Sequence, residues 1–361
     1  MSTMDIELIA VSKSYGANRV VDNIDLSIPA GEFVSILGPS GCGKTTTLNM
    51  IAGFSDPSGG DIRIRGRSQL GVPPEKRGIG LVFQNYALFP HMTVAENVAF
   101  GLKMKGTPRA ETETEVRSAL RRVHLEGFEQ RYPKELSGGQ QQRTALARAI
   151  APKPSLLLLD EPLSNLDLKL REAMRIELKE IQEELGMTFI YVTHDQDEAM
   201  AMSDRIVVMH GGVVAQEGKP DDIYDHPRSR FVADFIGKSN LLPVASLRAE
   251  GGSTTVVLED GLTLTASSPE NPGTVHFCCL RPEAVRLTPA GEGVPSPVNR
   301  IDGNLTRIVN LGAYRECFVT LSNGTVLKSL VRSTRLPDLS VGQSVVLSID
   351  PDAVQLLDSE D

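Results

Sequence analysis

The sequence has no long apolar run. Its longest uninterrupted stretches, such as Leu156 to Leu159, fall far short of the ~18 to 20 residues needed to cross a bilayer, so membrane attachment has to come through a partner. It also lacks a basic start followed by an apolar block: "MSTMDIELIAVSKSYG" does not read as a secretory signal, and a cytoplasmic protein is expected. The four cysteines, Cys42, Cys278, Cys279 and Cys317, have no C-x-x-C spacing and no metal-like pairing with the six histidines. That argues against a zinc site or a disulfide framework and for reduced thiols. Basic residues are not in excess either, and a net charge of −9 provides no global field to gather a polyanion. Nucleic acid is therefore not an expected partner. Low-complexity tails and clear tandem repeats are absent.

What is present suits a folded chain. At about 150 residues per domain, 361 residues with 40% hydrophobic content suggest two or three domains. Alternating "IDLSI" (24–28) reads as a half-buried antiparallel strand, whereas "FVSIL" (33–37) is nearly continuous, as in a central strand. Similar runs at 79–83, 156–159, 189–193 and 205–209, with helical patterns between several of them, predict an α/β core with a largely parallel sheet. Between about 90 and 135, Val94, Val98 and Leu102, then Val116, Leu120 and Val123, recur at helical steps, which predicts an inserted helical subdomain. Beyond Asn240 short Val/Leu/Thr runs are broken by Gly, Pro, Ser and Asn, as in small β-barrels or a sandwich. The expected domains are residues 1–238 and 239–361.

"GPSGCGKT" (38–45) matches G-x-x-x-x-G-K-[ST] and lies between a predicted buried strand and a predicted helix, as a phosphate loop must. Gly38, Pro39, Ser40, Gly41, Cys42, Gly43, Lys44, Thr45 and Thr46 make up the cradle. Lys44 would reach the β and γ phosphates of ATP and Thr45 would ligate magnesium. In "LLLLDEP", Asp160 and Glu161 end a buried strand; Asp160 would hold magnesium and Glu161 would deprotonate the attacking water. His194 after "FIYVT" ends a third strand and is expected at the γ-phosphate. Gln84 after "IGLVF" would orient water or touch magnesium, the alternative being a surface amide. A second glycine-rich helix start, Ser137, Gly138, Gly139 and Gln140 in "LSGGQQQR", also has the layout of an anion site.

"GPSGCGKT", Gln84, "LSGGQ", "LLLLDEP", "SNLD" and "VTHD" stand in an order that resembles the ATPase subunits of ABC transporters over about the first 235 residues. "YPKELSGGQQQR" resembles the importer subunits, and the β-rich tail resembles the paired oligonucleotide-fold-like barrels of maltose-type, polyamine and ferric-iron importers. "GEFVSILGPSGCGKTTTLNMIAGF", "NYALFPHMTVAENVAFGLKMKG" and "FVADFIGKSNLL" look most like the spermidine/putrescine branch. This resemblance implies a P-loop core with an antiparallel β subdomain, Tyr15 stacking on adenine, and Asp167 facing a second subunit. The "SNLD" stretch departs from the commoner alanine form at Asn165, with little functional loss expected.

The resemblance further implies a homodimer in which Ser137–Gln140 of one chain completes the ATP site of the other. It also implies docking on integral-membrane permease subunits at the cytoplasmic face of the inner membrane, with an extracytoplasmic solute-binding protein upstream. Two other readings stand beside polyamine uptake: the same ATPase role for ferric iron, aminophosphonate or sugar import, and a soluble ABC ATPase acting on nucleic acid or ribosomes. The C-terminal domain could in addition bind a regulator. Two local expectations complete the reading. Part of "YALFPHM" (86–92) should line a groove for a permease helix. Cys42, near a helix N-terminus and Lys44, should be a reactive thiol of lowered pKa.

Overall fold

The structure, a computed structural model, describes residues 4–250, 253–267, 275–290, 299–335 and 339–358. Its contacts divide it into two units, Met1–Asp221 and Asp222–Asp361. The first contains β1 (Met4–Tyr15), β2 (Asn18–Pro29), β3 (Phe33–Leu37), α1 (Lys44–Ala52), β4 (Gly59–Ile64), β5 (Arg67–Ser68), β6 (Gly80–Val82), α2 (Val94–Met104), α3 (Arg109–Arg122), α4 (Gly138–Ile150), β7 (Leu156–Asp160), α5 (Leu168–Leu185), β8 (Thr188–Thr193), α6 (Gln196–Met202), β9 (Arg205–His210) and β10 (Val213–Gly218).

Six of these strands form a sheet in the order β10-β9-β3-β8-β7-β6. All its pairs are parallel except β10 with β9. Strands in such a sheet are covered on both faces, which is why their apolar runs are continuous. The period of two decides which face each residue serves. Leu157 and Leu159 join Phe33, Phe189 and Tyr191 in a core with α2, α3, α4 and α5. Leu156 and Leu158 turn the other way, into a core with Val34, Ile36, α1 and a separate antiparallel sheet. That second sheet has the order β2-β1-β4-β5. Along 24–28 of β2 buried and exposed residues alternate, as "IDLSI" predicts. Residues 90–135 contribute α2 and α3, whose Val94, Val98, Leu102, Val116 and Leu120 are buried in the same core as α4. A capping box starts α2: Thr93 Oγ1 accepts from Glu96 N at 3.3 Å and Glu96 Oε2 from Thr93 N at 2.8 Å.

After α7 (Pro220–Asp225) and α8 (Arg230–Phe235), the second unit consists of β11 (Asn240–Glu250), β12 (Ser253–Leu258), β13 (Thr263–Ser267), β14 (Phe277–Leu280), β15 (Arg286–Pro289), β16 (Asn299–Asn310), β17 (Tyr314–Leu321), β18 (Val326–Arg332), β19 (Ser344–Ile349) and β20 (Gln355–Leu357). They form two five-stranded sheets, β13-β12-β11-β14-β20 and β15-β19-β16-β17-β18. Val256, Leu280, Leu305, Val319 and Leu347 from both sheets share one core.

The division at 221/222 falls earlier in the chain than the expected 238/239. Its physical reason is Arg281, whose buried guanidinium donates to the carbonyls of Tyr224 (2.9 Å), Ala233 (3.0 Å) and Ile236 (2.7 Å) and ties this helical stretch to the β-rich unit.

Candidate active site

Because β3, β8, β7 and β6 run parallel and side by side, their C-terminal ends share one edge, where ligands bind in open α/β sheets. The segments leaving that edge carry the phosphate loop, His194, Asp160 with Glu161, and Gln84. In the loop, Gly41 and Gly43 take φ of 83° and 106°, values that side-chain-bearing residues rarely adopt. A Cβ on Gly38 would lie 2.3 Å from the Met209 carbonyl oxygen, so the loop closes on its neighbour only as glycine. Lys44 is buried, and its Nζ donates to the carbonyls of Gly38 (2.8 Å) and Pro39 (3.0 Å). A cation thus sits inside a loop whose helix start, α1, has no side-chain cap. Thr45 Oγ1 donates to Asp160 Oδ1 at 3.4 Å, joining the first turn of α1 to the end of β7.

Glu161 follows β7 with a left-handed φ of 44°, and its N–H donates to the Val192 carbonyl at 3.0 Å. Its Oε2 accepts from Gln84 Nε2 at 3.3 Å and lies 3.2 Å from His194 Nδ1. Three strand ends therefore meet at one carboxylate. Burial raises the Asp160 pKa, as does the adjacent Glu161 charge, while Thr45 and Lys44 pull it down. Such a site is suited to a cation.

Sequence reasoning assigned no role at the site to three neighbours, among them Asn165, whose departure from alanine was expected to matter little. Ser164 Oγ donates to the Glu161 carbonyl at 2.9 Å and accepts from Gln84 Nε2 at 3.4 Å. Asn165 Nδ2 donates to the Gln84 carbonyl at 2.9 Å. Buried Glu198 accepts from Tyr191 OH (2.7 Å) and Thr193 Oγ1 (2.6 Å), which anchors the end of β8 before His194. The available signal was proximity to Glu161 and His194 in sequence, but the hydrogen-bond partners are fixed only by the strand order.

The expected reactivity of Cys42 is overturned. Its side chain is turned under the loop and is only 4% exposed. Burial raises the thiol pKa despite Lys44 and the backbone N–H groups beside it.

The second glycine-rich start is built differently. Ser137 caps α4 in a closed box: its N–H donates to Gln140 Oε1 at 2.9 Å, and its Oγ accepts from Gln140 N at 3.4 Å. Ala145, Leu146 and Ile150 of α4 belong to the core on one face of the parallel sheet, whereas Leu48, Met50 and Ile51 of α1 belong to the core on the other. Within one chain, then, the two glycine-rich helices pack on opposite faces. Ser137 and Gly138 are exposed, and Gly139 lies against Leu170 in the first turn of α5. Exposed Asp167 caps that helix, its Oδ1 accepting from Leu170 N at 3.0 Å. Tyr15 ends β1 with 55% of its surface exposed and Lys13 Nζ 5.1 Å from its ring centre.

"YALFPHM" is divided between two environments. Tyr86 is buried, while Ala87 and Phe89 line a groove of 420 Å³ with Phe83, Phe100, Arg148 and Pro152. Arg148 holds the carbonyls of Tyr86 (2.8 Å) and Ala87 (2.7 Å), whose φ values of 62° and 46° are left-handed.

Comparison with known proteins identifies the family. A family model described as ABC transporter matches residues 21–164 and one described as TOBE domain matches residues 278–357. A spermidine/putrescine import ATP-binding protein, PotA, of Thermobifida fusca is 52% identical over 85% of this chain and 81% of its own length. Its counterpart of the same name in Ruegeria pomeroyi is 45% identical over 98% and 97%. Among solved structures, a dimeric ATP-binding cassette bound to ADP and Pi is 36% identical with a TM-score of 0.54, covering 60% of this chain and 98% of that one. The cbiO1 subunit from Clostridium perfringens, at 30% identity and a TM-score of 0.57, covers 61% and 90%. The chain belongs to the ABC transporter family, as one of its ATP-hydrolysing import subunits.

Proposed function

We propose that two copies of this chain, apposed head to tail at the cytoplasmic face of the inner membrane, close on two MgATP and drive polyamine uptake through permease subunits supplied by an extracytoplasmic solute-binding protein. The observation that carries this reading is the placement of the two glycine-rich helix starts. Lys44, Asp160, Glu161, Gln84 and His194 belong to one strand edge, while α4, which follows exposed Ser137, packs on the face opposite α1. A second copy brings Ser137–Gln140 to the phosphate held by Lys44. Polyamine as cargo rests on relatives 45–52% identical to this chain that are named for spermidine/putrescine import.

In this scheme Lys44 and the loop N–H groups hold the β and γ phosphates, and Tyr15 stacks on adenine. Thr45 Oγ1 and Asp160 Oδ1, 3.4 Å apart, present hard oxygen atoms suited to magnesium, with Gln84 alongside. Magnesium bound there would neutralise charge on the phosphate oxygens during transfer. Water attacks the γ-phosphorus and gives its proton to Glu161; the bond to the β–γ bridging oxygen breaks, and ADP and Pi leave. His194 contacts the γ-phosphate while its ring meets Glu161. The aromatic groove beside Phe89 receives the permease helix.

Subunit mixing tests the composite site. Lys44→Ala removes a chain's own cradle and Ser137→Arg obstructs the loop it offers its partner, so each homodimer has two defective sites. In the mixed dimer both defects fall in one site and the other is intact. ATP-dependent dimerisation should return on mixing. If mixed dimers form yet close with MgATP no better than either parent, the composite-site reading is wrong.

A further inference from the structure

Gln84 lies beyond the end of β6 and is exposed, in a turn closed by the Tyr86 N–H donating to the Phe83 carbonyl at 2.9 Å. Its own carbonyl and side chain are held from outside that turn. Asn165 Nδ2 donates to its carbonyl at 2.9 Å, and Ser164 Oγ lies 3.4 Å from its Nε2 while donating to the Glu161 carbonyl at 2.9 Å. One short loop thus holds Gln84 at its main chain and at its side chain, and is itself bonded to the residue that Gln84 faces.

We infer that Asn165 is a positioning residue for hydrolysis: its amide fixes the Gln84 carbonyl so that the Gln84 side chain is presented to Glu161. The inference rests on the roles proposed above for Gln84 and Glu161. A carbonyl held at 2.9 Å restricts the peptide from which the Gln84 side chain springs, and Nε2 then reaches Glu161 Oε2 at 3.3 Å. Removing Asn165 leaves both reacting groups intact but lets the amide wander, which affects rate through orientation. The same loop continues to Asp167, which caps α5, and Gln84 leads into the segment that lines the aromatic groove. The bond therefore joins the face expected to meet the second subunit with the face expected to meet the permease.

The bond is neutral and solvent-accessible, so its loss should cost a factor of about three to ten in kcat, the range of one ordinary hydrogen bond. The KM for ATP should not move, because the Lys44 cradle is untouched. Asn165→Ala removes an exposed side chain and no apolar contact, so the thermal midpoint should fall by no more than about 2 °C, too little to account for the lost rate.

A double-mutant cycle on the full-length chain decides the matter, with kcat, KM and thermal unfolding measured for wild type, Asn165→Ala, Gln84→Ala and the double variant. If Asn165 works through Gln84, its removal lowers kcat in the wild-type background and has no further effect once the Gln84 side chain is gone. Asn165→Asp, which keeps the shape but offers no N–H, should match Asn165→Ala. Losses that multiply in the double variant, a drop in thermal midpoint that accounts for the lost rate, or wild-type kcat in Asn165→Ala would each overturn the inference. Wild-type hydrolysis by Gln84→Ala alone would instead remove the proposed role of Gln84, and with it the basis for assigning Asn165.

Discussion

α1 and α4 both begin after a glycine-rich turn, and each start leaves backbone N–H groups without a partner inside its own helix. At α1 the preceding residue is Gly43, at φ 106°, with no side chain to cap the helix and a lysine folded into the loop beneath. At α4 the preceding residue is Ser137, in extended conformation, and the box with Gln140 caps part of the start from within the chain. The first has no side-chain cap at all. The second is capped at the N–H groups of Ser137 and Gln140, through one firm bond of 2.9 Å and one long bond of 3.4 Å that is cheap to release. Glycine therefore has different jobs in the two places: conformation at α1, and closeness to α5 at α4, where a Cβ on Gly139 would lie 3.0 Å from Leu170.

The same substitution at the two starts should break this comparison most visibly. A Cβ on Gly43 would meet the Val20 carbonyl oxygen at 2.9 Å and the Val21 side chain at 3.1 Å, at a φ that alanine rarely adopts. Gly43→Ala should cost about 1–3 kcal/mol and weaken ATP binding by about 100-fold or more through distortion of the cradle. Gly138→Ala lies at the first position of a helix, with only Leu166 Cδ2 at 3.4 Å, and should leave stability within about 0.5 kcal/mol. Thermal melts and equilibrium ATP binding on monomers check both; equal penalties would mean that the loops do not differ as described.

Much of the site was legible because short motifs at strand ends carry their own geometry: the phosphate loop, Asp160 with Glu161, and His194 needed only the parallel sheet to bring them together. The remainder depended on partners distant in sequence. Nothing in "SNLD" indicates that Asn165 reaches the Gln84 carbonyl, because that requires β6 beside β7. The position of the division between units depended on Arg281, which bonds carbonyls of 224, 233 and 236 from within what reads as a β-rich tail. Spacing located Cys42 near Lys44, but not which way its side chain turns, and burial outweighed the cation.

Asp160 offers an electrostatic test of the open start. Its folded pKa is raised above the ordinary 3.8, so the folded chain binds its proton more tightly than the unfolded chain. Stability is therefore lost as pH rises from about 3.8 through the folded value, and at neutral pH the full penalty is present. Asp160→Asn should raise the thermal midpoint at neutral pH, with the gain fading as pH falls through the folded value and gone by about pH 3.8. It should also reduce hydrolysis by about 100- to 1,000-fold through loss of the charge proposed to face magnesium. A destabilised Asp160→Asn protein at pH 7 would contradict this account.

At α4, removing the cap should have a smaller effect. Ser137→Ala loses the 3.4 Å bond, and a cap this long belongs at the low end of the usual range, about 0.5 kcal/mol, or ~1–2 °C. Nucleotide should separate the two starts. ATP at a hundredfold excess over its Kd should stabilise the monomer by about 2.7 kcal/mol, and by the same amount in Ser137→Ala, since the proposed role of Ser137 is in the site of the other subunit. A smaller nucleotide shift in the monomeric variant would place Ser137 in the site of its own chain.

The smallest effect is expected at Cys42. Its thiol lies within the phosphate loop, yet it is 4% exposed, and burial sets its pKa above that of an ordinary thiol. Maleimide reacts with thiolate, so both the low accessibility and the low thiolate fraction slow the reaction near neutral pH. Native protein should keep its ATPase activity over a period in which the same reagent fully labels the chain in denaturant. Raising the pH should increase the labelling rate only above the ordinary thiol range, because the folded pKa lies higher. ATP should add little protection, because the side chain is already covered by its own loop. Rapid inactivation at pH 7 that ATP prevents, and that Cys42→Ser abolishes, would show that the loop opens far enough to expose the thiol. The cradle at α1 would then be a shape formed around the phosphate rather than one held ready for it.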